Sequence, residues 1–220
     1  MVIEATREFE LELLGSGASL VIGMDEVGRG AIAGPVTVGV CVVSIQTADA
    51  PPGLRDSKLL SPARREALVP LVREWAPVAC GSASAAEIDE LGISACLGLA
   101  GKRALIALHE SGVRVGEAVV LLDGSHNWLT PALSSPLRVV TRTKADRDCA
   151  VVAGASVMAK VERDAVMIAL GSQLPGYGWE GNKGYGSAGH FEAISSLGPT
   201  DHHRRTWLHA TPGVGLPHNG

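Results

Sequence analysis

Residues 23–35 read GMDEVGRGAIAGP. Two carboxylates, Asp25 and Glu26, close an apolar stretch, and Gly28-Arg29-Gly30 follows almost at once. Desolvating a charge is costly unless something compensates it. The two acids are therefore either solvated at a strand end or hold something. Two further acids share that setting: Asp123 ends the run AVVLLD, and Asp146 follows LRVVTRT in TKAD. Strand ends along one edge of an α/β sheet are where ligand sites gather. Carboxylates converging there suit a hard cation, because Mg²⁺ takes oxygen ligands and keeps several waters. Two such ions can polarise a phosphate, activate a water and stabilise a leaving oxygen. Each acid alone has a plainer explanation as a strand end or turn residue. Asp123-Gly124 is a common turn dipeptide, and Asp146 next to Arg147 could be a salt-bridged surface acid. Neighbouring residues of a regular strand point to opposite faces, so Asp25 and Glu26 reach one site only if the strand ends or bulges there.

The glycines around Arg29 lack the G-x-G-x-x-G spacing of a dinucleotide loop and precede a strand pattern rather than a helix, which excludes that reading. They would let backbone N–H groups approach a phosphate or sugar hydroxyl, or simply form a tight turn. Lys58, in DSK, lies on a loop before a helix and could contact a phosphate. Tyr185, in NKGYG, sits between glycines on an open loop, where its ring could stack on a base or sugar or serve in packing. Lys160 and Asp164 stand one helical turn apart and can pair. His202 and His203 could be polar contacts, and no spaced His/Cys set supports zinc.

These residues need elements to hold them. Val- and Ile-rich runs predict strands over 19–24 and 36–43, with further strands over 77–82, 118–124 and 137–143. A helix is expected from Ser61 to Trp75, with Pro62 in its first position and a kink possible at Pro70. Ser84 and Glu87 have capping-box spacing. Residues 93–111 carry Leu97, Ala100, Ala104 and Leu108 on one stripe. The longest helical pattern covers 149–170, ending near Gly171, and its small residues Gly154, Ala155, Ser156 and Ala159 suit close packing on a sheet. A last helix is expected over 188–197. An opening hairpin followed by alternating strands and helices predicts an α/β fold with a mixed sheet.

The chain has 220 residues and a net charge of −4, so any nucleic-acid binding must rest on local charge, as in 55–65, 138–147 and 201–207. Its four scattered cysteines have no C-x-x-C pair and suit reduced thiols. The acidic N-terminus is unlike a signal peptide, and the longest apolar stretch is too short for a membrane span. A cytoplasmic protein with no membrane attachment is expected, and a monomer, since nothing signals an interface.

The motifs GMDEVGRG…AGP, DSKLLS, LLDG, KAD, ASVMAKVERD, NKGYGS…H and GPTDHHRRTW occur in the order found in ribonuclease HII, and the chain resembles that family over residues 21–207. The resemblance implies an RNase H-like α/β fold: a mixed β-sheet flanked by helices, with a helical C-terminal portion. It implies one catalytic domain over 1–220, with a core over about 18–170, C-terminal loop and helices over 171–207, and a loose tail over 208–220. It implies an endonuclease, dependent on Mg²⁺ or Mn²⁺, acting on RNA–DNA hybrids and on DNA duplexes with embedded ribonucleotides. The family's metal-binding acids fall on Asp25, Glu26, Asp123 and Asp146. Its 2′-hydroxyl-reading segment falls on Gly28, Arg29 and Gly30, its junction-sensing tyrosine on Tyr185, and its D-S-K motif on Asp56, Ser57 and Lys58. Lys144, two residues before the fourth acid, joins Ser57 and Lys58 as an expected substrate contact.

The chain departs from the family at His126-Asn127-Trp128, which has no assigned counterpart, at Lys144-Ala145 where Lys-Gly is commoner, and at AGAS and HRRTW. None of these removes a catalytic group. The implied reaction is two-metal hydrolysis on the 5′ side of a ribonucleotide, leaving 3′-hydroxyl and 5′-phosphate ends. The alternatives are another RNase H-like nuclease such as a junction resolvase, a non-catalytic nucleic-acid-binding protein, and an α/β domain whose acids are only turn residues.

Overall fold

All eight residues of VTVGVCVV are buried, forming β2 (Val36–Val43). A strand of that kind needs neighbours on both edges and cover on both faces. β1 (Leu20–Val27) pairs with it antiparallel on one edge and β3 (Val78–Ala83) on the other. The far edge of β1 pairs in parallel with β4 (Ala118–Asp123), and β4 with β5 (Arg138–Arg142). The mixed sheet has the order β3-β2-β1-β4-β5. These relations come from a computed structural model, which describes residues 4–208. The expected tail from 209 onward lies outside the described residues.

Helices cover both faces. α6 (Ala150–Gln173) and α2 (Pro62–Trp75) pack on one, sharing a core with Val21, Cys41 and Leu121. α4 (Ile93–Glu110) covers the other, where Leu97, Ala100, Ala104 and Leu108 are all fully buried against Ile22, Met24 and Val40. The caps behave as their residues dictate. The Arg64 amide donates to Ser61 Oγ at the start of α2, and Ser84 and Glu87 form a complete capping box on α3 (Ala85–Leu91). A smaller apolar cluster of Tyr177, Trp179, Ile194 and Met167 holds the C-terminal α7 (Trp179–Asn182) and α8 (Ala188–Leu197) against Ala33. No helix among the described residues is long and apolar enough to cross a membrane.

α2 runs to Trp75 as expected, with Pro70 inside it. Other elements differ from expectation. α1 (Glu8–Gly15) was not foreseen; its buried Glu10 accepts the Val151 amide at 2.8 Å, capping the start of α6 from a distance in sequence that no local pattern reveals. α6 runs past Gly171 to Gln173, because that glycine makes room for the Glu180 carboxylate and does not end the helix. KADRD, to which no element was assigned, forms a short helical turn, α5 (Ala145–Asp148).

The contact between α6 and the sheet is backbone on backbone. A Cβ built on Gly39 would lie 2.2 Å from the Ala155 carbonyl oxygen, and one on Gly23 2.4 Å from the Val151 carbonyl carbon. Gly39→Ala should therefore force the layers apart and lower unfolding free energy by about 1–3 kcal/mol. Urea unfolding checks this: the midpoint falls while the slope stays unchanged.

Candidate active site

β1 continues past Met24 because its ladder with β2 persists through Asp25↔Gly39 and Glu26↔Val38, while its pairing with β4 stops at Met24↔Leu122. Asp25 and Glu26 thus lie inside a regular strand, not beyond its end or on a bulge. They can share one site because the sheet is open on the β4 side beyond that point. Both line a cleft of about 220 Å³, together with Asp123, Arg29, Lys58 and Tyr185.

Each acid is held differently. Asp25 is buried and accepts the Glu26 amide at 2.8 Å, with Ser156 of α6 beside it in the cleft. Burial pushes its carboxyl up to about 8; the Ser156 hydroxyl opposes this, while Glu26, Asp123 and Asp146 add to it. Glu26 is raised by burial against the pull of Arg29, whose Nη1 is 3.6 Å away. Asp123 ends β4 and accepts the Ala145 and Asp146 amides at 2.7 and 3.3 Å; burial and the Asp146 charge raise it too. Asp146, on α5, accepts from Lys58 Nζ at 2.9 Å. Desolvation works against the Lys58 charge, but the Asp146 bond outweighs it and holds its pKa up.

This is a concentration of negative charge that protein cations only partly offset. Its donors are all carboxylate oxygens, which fits a hard divalent ion. The acids are not closed into a cage: no three His, Cys, Asp or Glu among the described residues form a ready-made metal cluster. Asp123 is turned to the α5 amides and Asp146 to Lys58.

The other expected residues divide by exposure. Arg29, Gly30, Lys58 and Lys144 are exposed, and Lys144 holds a left-handed backbone with φ of 63°. Tyr185 is 38% exposed and its ring lies 5.4 Å from the Arg163 guanidinium. Ser57 is buried and bonded through Oγ to Ser156 Oγ at 2.8 Å, so it faces the α6 support. Lys160 pairs with Asp164 and lines the cleft. Gly28 and Gly30 differ in kind. Gly28 has φ of +82° and lies where a Cβ would strike Arg163 Nε at 2.0 Å; Gly30 has open space around it.

The basic segments do not all face outward. Arg65 is buried and donates to the Ser57 and Leu60 carbonyls, and Arg204 is fully buried. His203 points inward as well. The Thr200 amide donates to its Nδ1, so its Nε2–H donates to His190 Nε2 (3.1 Å), which also accepts from Trp179 Nε1. That leaves His190 Nδ1–H to donate to the Tyr185 carbonyl at 2.9 Å. Asn127 and Trp128 are structural, Asn127 bonding Thr130 twice and Trp128 buried beneath α4, while His126 is exposed.

The family model for ribonuclease HII matches residues 22–210. The chain belongs to the ribonuclease HII family. It is accordingly a metal-dependent endoribonuclease of the ribonuclease H type. It is 45% identical over 195 residues to a ribonuclease HII of Streptomyces avermitilis, covering 88% of this chain and 79% of that protein. It is 44% identical over 200 residues to that of Jannaschia sp., covering 91% and 94%. Among solved structures, ribonuclease H2 from Pyrococcus horikoshii superposes with a TM-score of 0.66 at 26% identity, covering 86% and 93%.

Burial holds His190 low and, with the neighbouring His190, holds His203 down to about 4. The unfolded chain binds these protons near pH 6.5, so the histidines leave stability unaffected above that pH and cost it as pH falls from 6.5 towards 4. Through His203 alone the loss is about 3 kcal/mol. Urea midpoints over that range should fall more steeply for the wild type than for His203→Gln.

Proposed function

We propose that the chain hydrolyses the phosphodiester on the 5′ side of a ribonucleotide, in RNA–DNA hybrids and in DNA duplexes with embedded ribonucleotides. Products carry 3′-hydroxyl and 5′-phosphate ends. The carrying observation is the cleft that gathers the carboxylates of Asp25, Glu26 and Asp123 beside an exposed Arg29, Lys58 and Tyr185; burial raises the pKa of all three acids. Such carboxylates await a positive charge that the protein does not itself provide.

Asp25, Glu26, Asp123 and Asp146 would hold Mg²⁺ or Mn²⁺, four carboxylates supplying the oxygen ligands such ions take. Bound there, the ions supply Lewis acidity at the phosphate and make water a competent nucleophile near neutral pH. Burial and the neighbouring acids favour the protonated form of Asp25, so cation loading there would be proton-linked. Lys58 and Lys144 would take phosphate oxygens, which makes binding weaken with salt. Arg29 would read the 2′-hydroxyl, the group that tells RNA from DNA at one site. Its pairing with Glu26 is long and exposed, so little holds it back. Tyr185 would stack on the sugar beyond the junction.

The test is cleavage of an end-labelled DNA duplex with one ribonucleotide, with Mg²⁺, Mn²⁺ or EDTA, beside an all-DNA control. A single metal-dependent cut 5′ of the ribonucleotide is expected; cutting of the control, or of neither duplex, rejects the substrate. Asp123→Asn should lower kcat by about 10³-fold, the several kcal/mol of charge stabilisation a disrupted metal site forfeits, with duplex affinity nearly unchanged.

Gly30 needs no positive φ and touches nothing, so the cost of a side chain there falls on the substrate. Gly30→Ala should melt like the wild type yet lose about ten- to a hundredfold in kcat/KM on the single-ribonucleotide duplex. Unimpaired turnover would show that this face is free of substrate.

A further inference from the structure

Two arginines lie fully buried beneath the cleft: Arg163 on α6 and Arg204 just before α9 (Arg205–Leu208). Among the described residues neither forms an ion pair. Every nitrogen of both guanidinium groups donates to a backbone carbonyl. Arg163 gives Nε to Pro35 (2.8 Å), Nη1 to Lys183 (2.9 Å) and Nη2 to Ala33 (3.1 Å). Arg204 gives Nη1 to Arg29 (2.8 Å), Nη2 to Gly28 (2.6 Å) and both Nε and Nη2 to Gly34 (3.3 and 3.2 Å).

The six carbonyls belong to two segments: the loop from Gly28 to Pro35 and the turn before Tyr185. These also bond directly, the Ile32 and Ala33 amides both donating to the Gly184 carbonyl. Buried carbonyls without a sheet partner need donors, and a planar fork reaches several at fixed angles where a lysine ammonium is a point. Burying a cation costs several kcal/mol, and burial lowers both side chains, Arg204 to about 10, so it stays charged at neutral pH. Apolar residues would avoid that cost but leave the carbonyls unpaired. The arrangement is explained by what it fixes. Arg29, whose carbonyl is gripped from below, has its own guanidinium in the cleft, and Tyr185 lies over the Arg163 guanidinium.

We propose that Arg163 and Arg204 are positioning residues for ribonucleotide discrimination, locking the Gly28–Pro35 loop and the Tyr185 turn into one rigid reading surface. This rests on the proposed reading of the 2′-hydroxyl by the Gly28–Gly30 segment. Neither arginine touches substrate; each acts through the backbone it holds.

The measurement is the ratio of dissociation constants for an all-DNA duplex and the same duplex with one ribonucleotide, in an Asp123→Asn background to prevent cutting. A smaller folded fraction scales both constants equally and cannot move the ratio. Arg163→Lys and Arg204→Lys, which keep the charge but lose the fork, should each cut the ratio by about tenfold, all of it from weaker ribonucleotide binding. Trp207→Leu removes the ring 4.9 Å from the Arg204 guanidinium but none of its bonds. It should give a smaller loss of the same kind, and it decides the case for Arg204 if the lysine variant does not fold. A ratio above one in the parent that the variants leave intact overturns this inference alone. A parent ratio of one overturns it together with the proposed 2′-hydroxyl reading.

Discussion

A Cβ at Gly39 would stand 2.2 Å from the Ala155 carbonyl oxygen, so at that point α6 meets the sheet with no side chain between them, and the reach of everything α6 carries is set by that contact. Ser156 bonds Ser57 and lines the cleft beside Asp25. Lys160 reaches the cleft one turn on. Arg163 grips the loop after β1 another turn further, and Met167 packs under Gly34 one turn beyond that. Residues spaced three or four apart share a helix face, so a single rigid helix supports the carboxylates, the loop and the C-terminal cluster in sequence. Any thickening of the layer would shift all of these together.

The charges are arranged in two tiers. The upper tier is carboxylates whose protonation is favoured by burial and by each other. The lower tier is two cations with no carboxylate partner, satisfied by carbonyl dipoles. Were these arginines close enough to pair with the acids, they would neutralise the site and compete with a metal. Tied to the loop backbone, they leave the acids' charge in place. A cleft so charged repels phosphate, and the chain's net charge of −4 does nothing to help. Under the proposed function, affinity for a polyanion therefore rests on the exposed Arg29, Lys58 and Lys144.

Much of this was legible in the sequence because it depends on local pattern. The strand runs, the capping box at Ser84 and the stripe on α4 follow from periodicity and cap chemistry, and the structure places them within a few residues of expectation. The acids at strand ends were visible as costly residues in apolar surroundings. What failed was the reading of positive charge. Arg65, Arg204 and His203 look like surface groups in basic segments, yet all three are buried. Composition cannot separate a cation facing phosphate from one facing carbonyls, since the difference lies in which loop folds over it. Arg204 meets Gly28 across 176 residues. α1 was missed for a related reason: Glu10 is explained by the Val151 amide, which is 141 residues distant.

Gly28 and Gly30 show how far the sequence can be taken once packing is known. They flank the same arginine and read identically in the chain. Gly28 is fixed by the fold, with a positive φ and the Arg163 side chain where its Cβ would be. Gly30 is free of both constraints, and a glycine lowers stability relative to alanine by restricting the unfolded chain less. A protein that carries this cost without a structural return is leaving space for something else. Gly30 lines the cleft that holds Arg29 and the acids, so under the proposed function its absent side chain leaves room for the substrate.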